Sequence, residues 1–191
     1  AEDEEEYDDE EEEEDEEYDD EEDEEADFLR YLREAAQGDD EAQFNLGVSY
    51  AAGSGVDEDF EEAVRWYRKS AKQGNDGAQY LLGFAYFNGE GVAQDHVKAI
   101  RWFQKSAEQG NADAQCMMGF MYADGESVVH DDVESAEWYR MSAEQGDDDA
   151  QYSLGWAYYH GKGVAQDYGK AIKWLRKAVK QGNANAQHLL G

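Results

Sequence analysis

A period of 36 residues constrains this chain more than any other feature. Gly38, Gly74, Gly110, Gly146 and Gly182 stand 36 apart. The pair Ala-Gln recurs in step at Ala42-Gln43, Ala78-Gln79, Ala114-Gln115, Ala150-Gln151 and Ala186-Gln187. Leu-Gly follows at Leu46-Gly47, Leu82-Gly83, Leu154-Gly155 and Leu190-Gly191, with Met118-Gly119 as the variant. Trp66, Trp102, Trp138 and Trp174 form a further column, and Asp59, Asp95, Asp131 and Asp167 another. A repeat of this length that keeps phase without insertion is the signature of stacked supersecondary units.

Within one unit the spacing reads as two helices. Ala78, Leu82 and Tyr86 fall at i, i+4 and i+8, on one helical face. Asn75 supplies an N-cap, because its side chain can accept from free N–H groups of the first turn. Gly89 supplies the stop, in the left-handed conformation that glycine takes without strain. Asp95 caps a second helix whose buried side is expected to carry Ala99, Trp102 and Phe103, and Gly110 closes the unit. Gly83 and Ala99 are small enough to let the paired helices approach closely. One hairpin cannot cover its own apolar face, so the units must stack into a solenoid.

The string AQ-x-x-LG-x-x-Y, then G-x-GV-x-x-D, then A-x-x-WY-x-K-x-A-x-QG, resembles the Sel-one-like repeat (SLR) family of tetratricopeptide-like solenoids. The resemblance runs over about residues 38–191. It implies an all-α fold, a right-handed α/α superhelical solenoid of 36-residue helix-turn-helix repeats. The register gives a half-unit at 28–37, repeats at 38–73, 74–109, 110–145 and 146–181, and a half-unit at 182–191. Three departures stand out. Ser127 replaces the second loop glycine of the third unit, which puts that loop's conformation in question. Ala93 and Ala165 stand where the family often has proline. Cys116 is the single cysteine, so the disulfide carried by some family members is excluded here.

Ahead of the repeats lies an acidic run. Residues 1–27 carry 23 acids and no base, leaving 25 acids against 16 bases for the rest of a chain whose net charge is −32. Such a run cannot bury apolar surface and repels itself, so it is expected to be a disordered tail. Tyr7 and Tyr18, flanked by acids, are candidate modification sites or solvated spacers. The acidity argues against direct nucleic-acid binding, which needs clustered Lys and Arg, and favours basic partners. Carboxylates also suit calcium, but no EF-hand spacing organises these, so only weak cation binding is expected of the tail. No apolar run approaches the roughly 20 residues of a membrane span. The chain opens at Ala1 rather than Met and stops inside a first helix at Gly191, as a processed or trimmed product would. A soluble protein is expected, either cytoplasmic or periplasmic or secreted after loss of a signal peptide.

No catalytic constellation is present. His96, His130, His160 and His188 form no HExxH motif and no i, i+4 pair. The glycine-rich pieces GSG, GEG and GKG are turn glycines in register with the repeat, not a phosphate-binding loop. The recurrent aspartates read as helix caps rather than acid–base pairs. An enzyme is not expected, and neither is a cofactor or metal. Cys116, Met117, Met118, Met121 and Met141 all fall in the third unit, which raises a soft-metal site as a minor alternative to plain core packing.

The candidate binding surface is a second stripe on each first helix. In the resembling solenoids this side lines a concave groove. The stripe contributes Phe44 in the first unit; Tyr80, Phe84, Phe87 and Asn88 in the second; Phe120 and Asp124 in the third; and Tyr152, Trp156, Tyr159 and His160 in the fourth. Trp156 is the one tryptophan outside the periodic column, and Tyr and Trp beside an adaptable polar group are typical interface anchors. From these residues the expected function is a non-catalytic protein–protein interaction scaffold or adaptor. It would grip a peptide or protein in an aromatic concave groove while the acidic tail steers basic partners. The alternative is a stoichiometric inhibitor, of an immunity or nucleic-acid-mimic type, whose tail occupies a basic site on its target. Lys170, Lys173, Lys177 and Lys180 make a basic stripe on the last second helix. With the acidic N-terminus it could give a salt-sensitive head-to-tail self-association.

Overall fold

The structure, a computed structural model, describes residues 20–190. Ten helices follow one another among the described residues. The first helices of the units are α2 (Asp40–Ala52), α4 (Asp76–Asn88), α6 (Ala112–Asp124), α8 (Asp148–His160) and α10 (Ala184–Leu190). The second helices are α1 (Asp20–Ala36), α3 (Phe60–Gln73), α5 (His96–Glu108), α7 (Asp132–Gln145) and α9 (Tyr168–Lys180). Each helix packs on its predecessor and successor, so hairpins stack into the solenoid that the 36-residue period requires.

The repeated columns now acquire physical roles. Asn75 Oδ1 accepts from Ala78 N at 2.8 Å and Asp95 Oδ1 from Lys98 N at 3.0 Å, the caps read from sequence. Gly89 ends α4 at φ 80°. The glycine of the Leu-Gly pair sits in helical conformation and is kept small by a neighbour: a Cβ at Gly83 would meet the Phe103 ring at 2.8 Å. Ala-Gln serves the stacking. Gln79 Nε2 donates to Ala71 O at 3.1 Å, and its Oε1 accepts from Gln109 Nε2 at 2.8 Å. Gln115 and Gln145 repeat this pair one unit later, so buried glutamines tie each unit to the next. Buried amides satisfied in this way specify register, because an unpaired one would carry a desolvation penalty of roughly 1–3 kcal/mol.

The tryptophan column departs from expectation. Ala99 and Phe103 are fully buried, but Trp102 is only half-buried. Its outer ring face carries Lys105 Nζ at 4.5 Å, as Trp66 carries Lys69 and Trp174 carries Lys177. The ring covers the junction between units, and the lysine stem shields the face that remains. In the third unit Met141, an exposed residue, stands where the others have lysine.

The N-terminal half-unit also differs. The sequence reading starts it at residue 28, whereas α1 begins at Asp20, inside the acidic run. Glutamate forms helix well, and acids at a helix N-terminus are favoured by its dipole. Glu24 stands one period before Phe60 and makes the same contact. A Cβ on Gly55 would meet Glu24 O at 2.4 Å, as one on Gly91 would meet Phe60 O at 2.0 Å. Part of the run is therefore the first turns of a repeat helix. The disorder expected of the tail, and Tyr7 and Tyr18 with it, fall on residues 1–19, outside the described residues.

Candidate functional site

The first helices place the aromatic stripe along one side of the stack, and α6 also touches α8 directly. The structure divides the expected groove residues into distinct groups. Phe44, Tyr80, Phe84 and Tyr152 are half-buried, wedged between neighbouring helices. Tyr80 sits 5.8 Å from Phe103 and 6.3 Å from Phe84, ring to ring. Burial, followed by the negative field of Asp113, pushes the Tyr80 hydroxyl up to about 12. Asn88 and Asp124 are exposed but hold their own loops, Asn88 donating to Glu90 and Asp124 accepting from Glu126 N at 3.3 Å.

At the far end the rings cluster in the open. Trp156 is 39% and Tyr159 42% exposed, with His160 between them at 4.3 and 4.9 Å. Tyr168, the first residue of α9, joins edge-on at 5.3 Å from Tyr159. Sequence spacing did not single out Tyr168, because it lies across a loop on the next helix. Phe120 stands exposed one repeat earlier in the same column.

Trp156 also lines a cavity of about 240 Å³ at the junction of the third and fourth units. Ala123 of α6, Asp132, Ser135 and Tyr139 of α7, and Tyr152 and Ser153 of α8 contribute to its wall. None of Asp132, Ser135, Tyr139 or Ser153 was expected from the sequence as a site residue. The corresponding niche between the first two units is about 110 Å³ and has Phe60, Ala63 and Leu81 where the third junction has Asp132, Ser135 and Ser153. Comparing columns, rather than units, would have found two of them: Ser135 breaks a column of alanines, and Ser153 a column of Leu81, Met117 and Leu189.

The polar groups are organised by a rebuilt loop. In units two and four, Gln94 and Gln166 donate to Phe87 O and Tyr159 O. In unit three His130 takes that place, its Nδ1 at 2.9 Å from Ala123 O and its Nε2 at 3.3 Å from Asp132. Lys162, from the next loop, reaches Asp132 at 3.5 Å. Gly163 allows that approach: at φ 66°, a Cβ there would lie 1.7 Å from Asp132 O. Ser127 abandons the left-handed conformation of its glycine counterparts, and its hydroxyl lies 3.0 Å from His96 Nδ1. Burial holds the Tyr139 hydroxyl well above its ordinary value, so it remains a proton donor.

The soft residues of the third unit do not converge. Met118 and Met121 are buried in the core, Met141 is exposed on α7, and Cys116 lies half-buried beside Asp147. Burial, reinforced by Asp147, raises the Cys116 thiol, which disfavours the thiolate that reactivity requires. Among the described residues, no group of three or more His, Cys, Asp or Glu is placed to hold a metal ion. No helix there is long and apolar enough to cross a membrane.

Known proteins bear on this geometry at the level of family and fold. A protective antigen of uropathogenic Escherichia coli strains, displaying an SLR fold, is 44% identical at a TM-score of 0.79, covering 84% of this chain and 34% of its own. A Sel1 repeat protein from Oxalobacter formigenes is 37% identical at 0.82, covering 87% and 48%. The chain thus spans about a third to a half of the length of these relatives. An immunity protein from Pseudomonas aeruginosa, 24% identical at 0.55 and covering 83% and 59%, shares the fold. Among curated proteins none matches the chain. The Sel1 repeat matches residues 40–75, 77–111, 112–147 and 148–183, most of the chain and all four full units, and this protein belongs to the Sel1 repeat family.

Proposed function

We propose that the chain is a non-catalytic interaction scaffold that binds a basic peptide or protein segment along the surface of its first helices. Sel1 repeat proteins are generally protein-interaction scaffolds, and the family is generally non-catalytic. The observation that carries the reading here is the exposed cluster of Trp156, Tyr159, His160 and Tyr168. Large amphipathic rings held by their neighbours lose little entropy on binding, which makes them effective anchors. Charge supports a basic partner. Asp113, Asp124 and Asp149 are exposed on α6 and α8, and 23 acids precede residue 28. The acidic segment accelerates encounter, an effect that weakens with salt.

The test is the affinity of the full chain for a defined lysine- and arginine-rich, tyrosine-containing peptide. Tyr159→Ala should weaken binding about tenfold or more, as loss of an interface anchor does. Deletion of residues 1–19 should slow association and flatten its salt dependence. Unchanged affinity in the first variant and unchanged kinetics in the second would refute the reading.

The dense run of acids supports a second reading, a stoichiometric inhibitor of a basic protein. It requires that a peptide of residues 1–27 alone compete for the partner. Head-to-tail self-association draws on exposed Lys170, Lys173, Arg176, Lys177 and Lys180 on α9 facing the acidic segment of a second copy. An oligomeric state independent of salt and concentration would exclude it.

A further inference from the structure

Three junctions join the four units, and cavities open at equivalent places in the first and the third. Their walls can be compared position by position because no insertion breaks the period. At the middle junction the niche is filled from within. Phe87 packs its ring 5.1 Å from His96 and 6.5 Å from Phe103. His96 and Phe103 are the counterparts of Asp132 and Tyr139 at the third junction. The counterpart of Phe87 there is Ala123, so the ring that fills the middle junction is missing. The first junction also has alanine there, Ala51, but Phe60 and Leu81 narrow its niche to about 110 Å³; with Asp132 and Ser153 in those places the third niche opens to about 240 Å³. That is below the ~300–1,000 Å³ of typical small-molecule sites and suits a single aromatic side chain.

The chemistry of the walls narrows the occupant. Asp132 presents a carboxylate whose contacts, His130 at 3.3 Å and Lys162 at 3.5 Å, are long, leaving acceptor capacity for a short hydrogen bond. Lys162 disfavours an incoming cation and Asp132 an incoming anion. A neutral ring that carries a donor satisfies both, and Trp156, Tyr152 and Tyr139 offer it aromatic walls. Resting on the groove reading above, we infer that the third-junction niche takes a tyrosine side chain of the bound segment. Its ring occupies the place that Phe87 fills at the middle junction, and its hydroxyl donates to Asp132.

The experiment titrates the full chain with p-cresol, the tyrosine side-chain analogue, and with toluene, the phenylalanine analogue, following the Trp156 indole by NMR. Saturable p-cresol binding is expected, about tenfold tighter than toluene, the worth of a hydrogen bond to a charged acceptor. Ala123→Phe should abolish binding of both. Asp132→Ala should keep the niche open and bring the ratio to about one, which carries the test if the first variant loses its helical signal. Phe87→Ala should open the middle niche to toluene. Equal affinity for p-cresol and toluene in the parent chain overturns the inference. So does p-cresol binding that survives Ala123→Phe, or a Phe87→Ala chain that takes up no toluene. Tyr159 lies outside the niche wall. If Tyr159→Ala loses the basic peptide while Ala123→Phe retains it, the groove stands and the niche falls; the reverse result removes the groove alone.

Discussion

The middle and third junctions are built on one template and reach different ends. At the middle junction every position serves cohesion. Phe103 is fully buried, Phe87 fills the niche, Ser106 Oγ donates to Asp76 O at 2.8 Å, and Asn111 donates to Asp76 at 3.0 Å. At the third junction each of these is weakened or replaced. Tyr139 borders a cavity, Ala123 leaves it open, Ser142 Oγ is buried without a partner among the described residues, and Asp147 stands where the middle junction has Asn111. In a solenoid, stability is approximately a sum of units and nearest-neighbour interfaces, so one junction can yield cohesion without loss of the fold. The third junction yields it where the aromatic surface is most exposed.

The largest test of this contrast is truncation of the central ring. Phe103→Ala should cost about 3–5 kcal/mol in urea denaturation, whereas Tyr139→Ala should cost less, about 2–3 kcal/mol, because its ring already borders an open space. A larger loss at Tyr139 would break the comparison. Next comes the niche itself. Phe87→Ala should cost about 2 kcal/mol, and the reciprocal Ala123→Phe no more than about 1 kcal/mol, since the added ring enters existing space.

A third test concerns pH. Burial raises the Asp147 carboxyl above its ordinary value, with Asp149 and Asp113 adding to the shift against the opposing hydrogen bond from Ala150 N. A raised folded-state pKa means that the charged form lowers stability at neutral pH, and that this cost disappears as pH falls through the folded value. Asp147→Asn should therefore gain about 1 kcal/mol at pH 7, through the amide donor that Asn75 and Asn183 direct at Glu41 and Asp149. Its advantage should shrink on acidification; an advantage that grows there would refute the assignment. The smallest expected effect is a difference of sign. Ser106→Ala should lose about 1 kcal/mol, while Ser142→Ala should be neutral or slightly stabilising, because its hydroxyl is buried without a partner.

The architecture was legible in the sequence because a strict period turns one local reading into many. Asn75, Gly89 and Asp95 each carry a local signal, and agreement across units made the helix boundaries readable. The start of α1 was not, because the acids of Asp20–Asp27 satisfy the criteria for a solvated tail and for a helix N-terminus alike. The candidate site divided similarly. Trp156, Tyr159 and His160 share one helix, so their spacing put them together. Tyr168, Asp132, Ser135 and Lys162 reach that end from other elements, and no spacing within a unit connects them.

What the sequence determined by itself was the repeat, its two helices and the side of the first helix that carries the rings. These follow from periodicity and capping, which act over a few residues. Only the tertiary structure decided that Phe87 turns inward while Trp156 stays exposed, and that Ala123 opposite Asp132 leaves a polar niche. Those outcomes depend on which side chain occupies a volume shared by three helices, and such a volume exists only once neighbouring units have stacked.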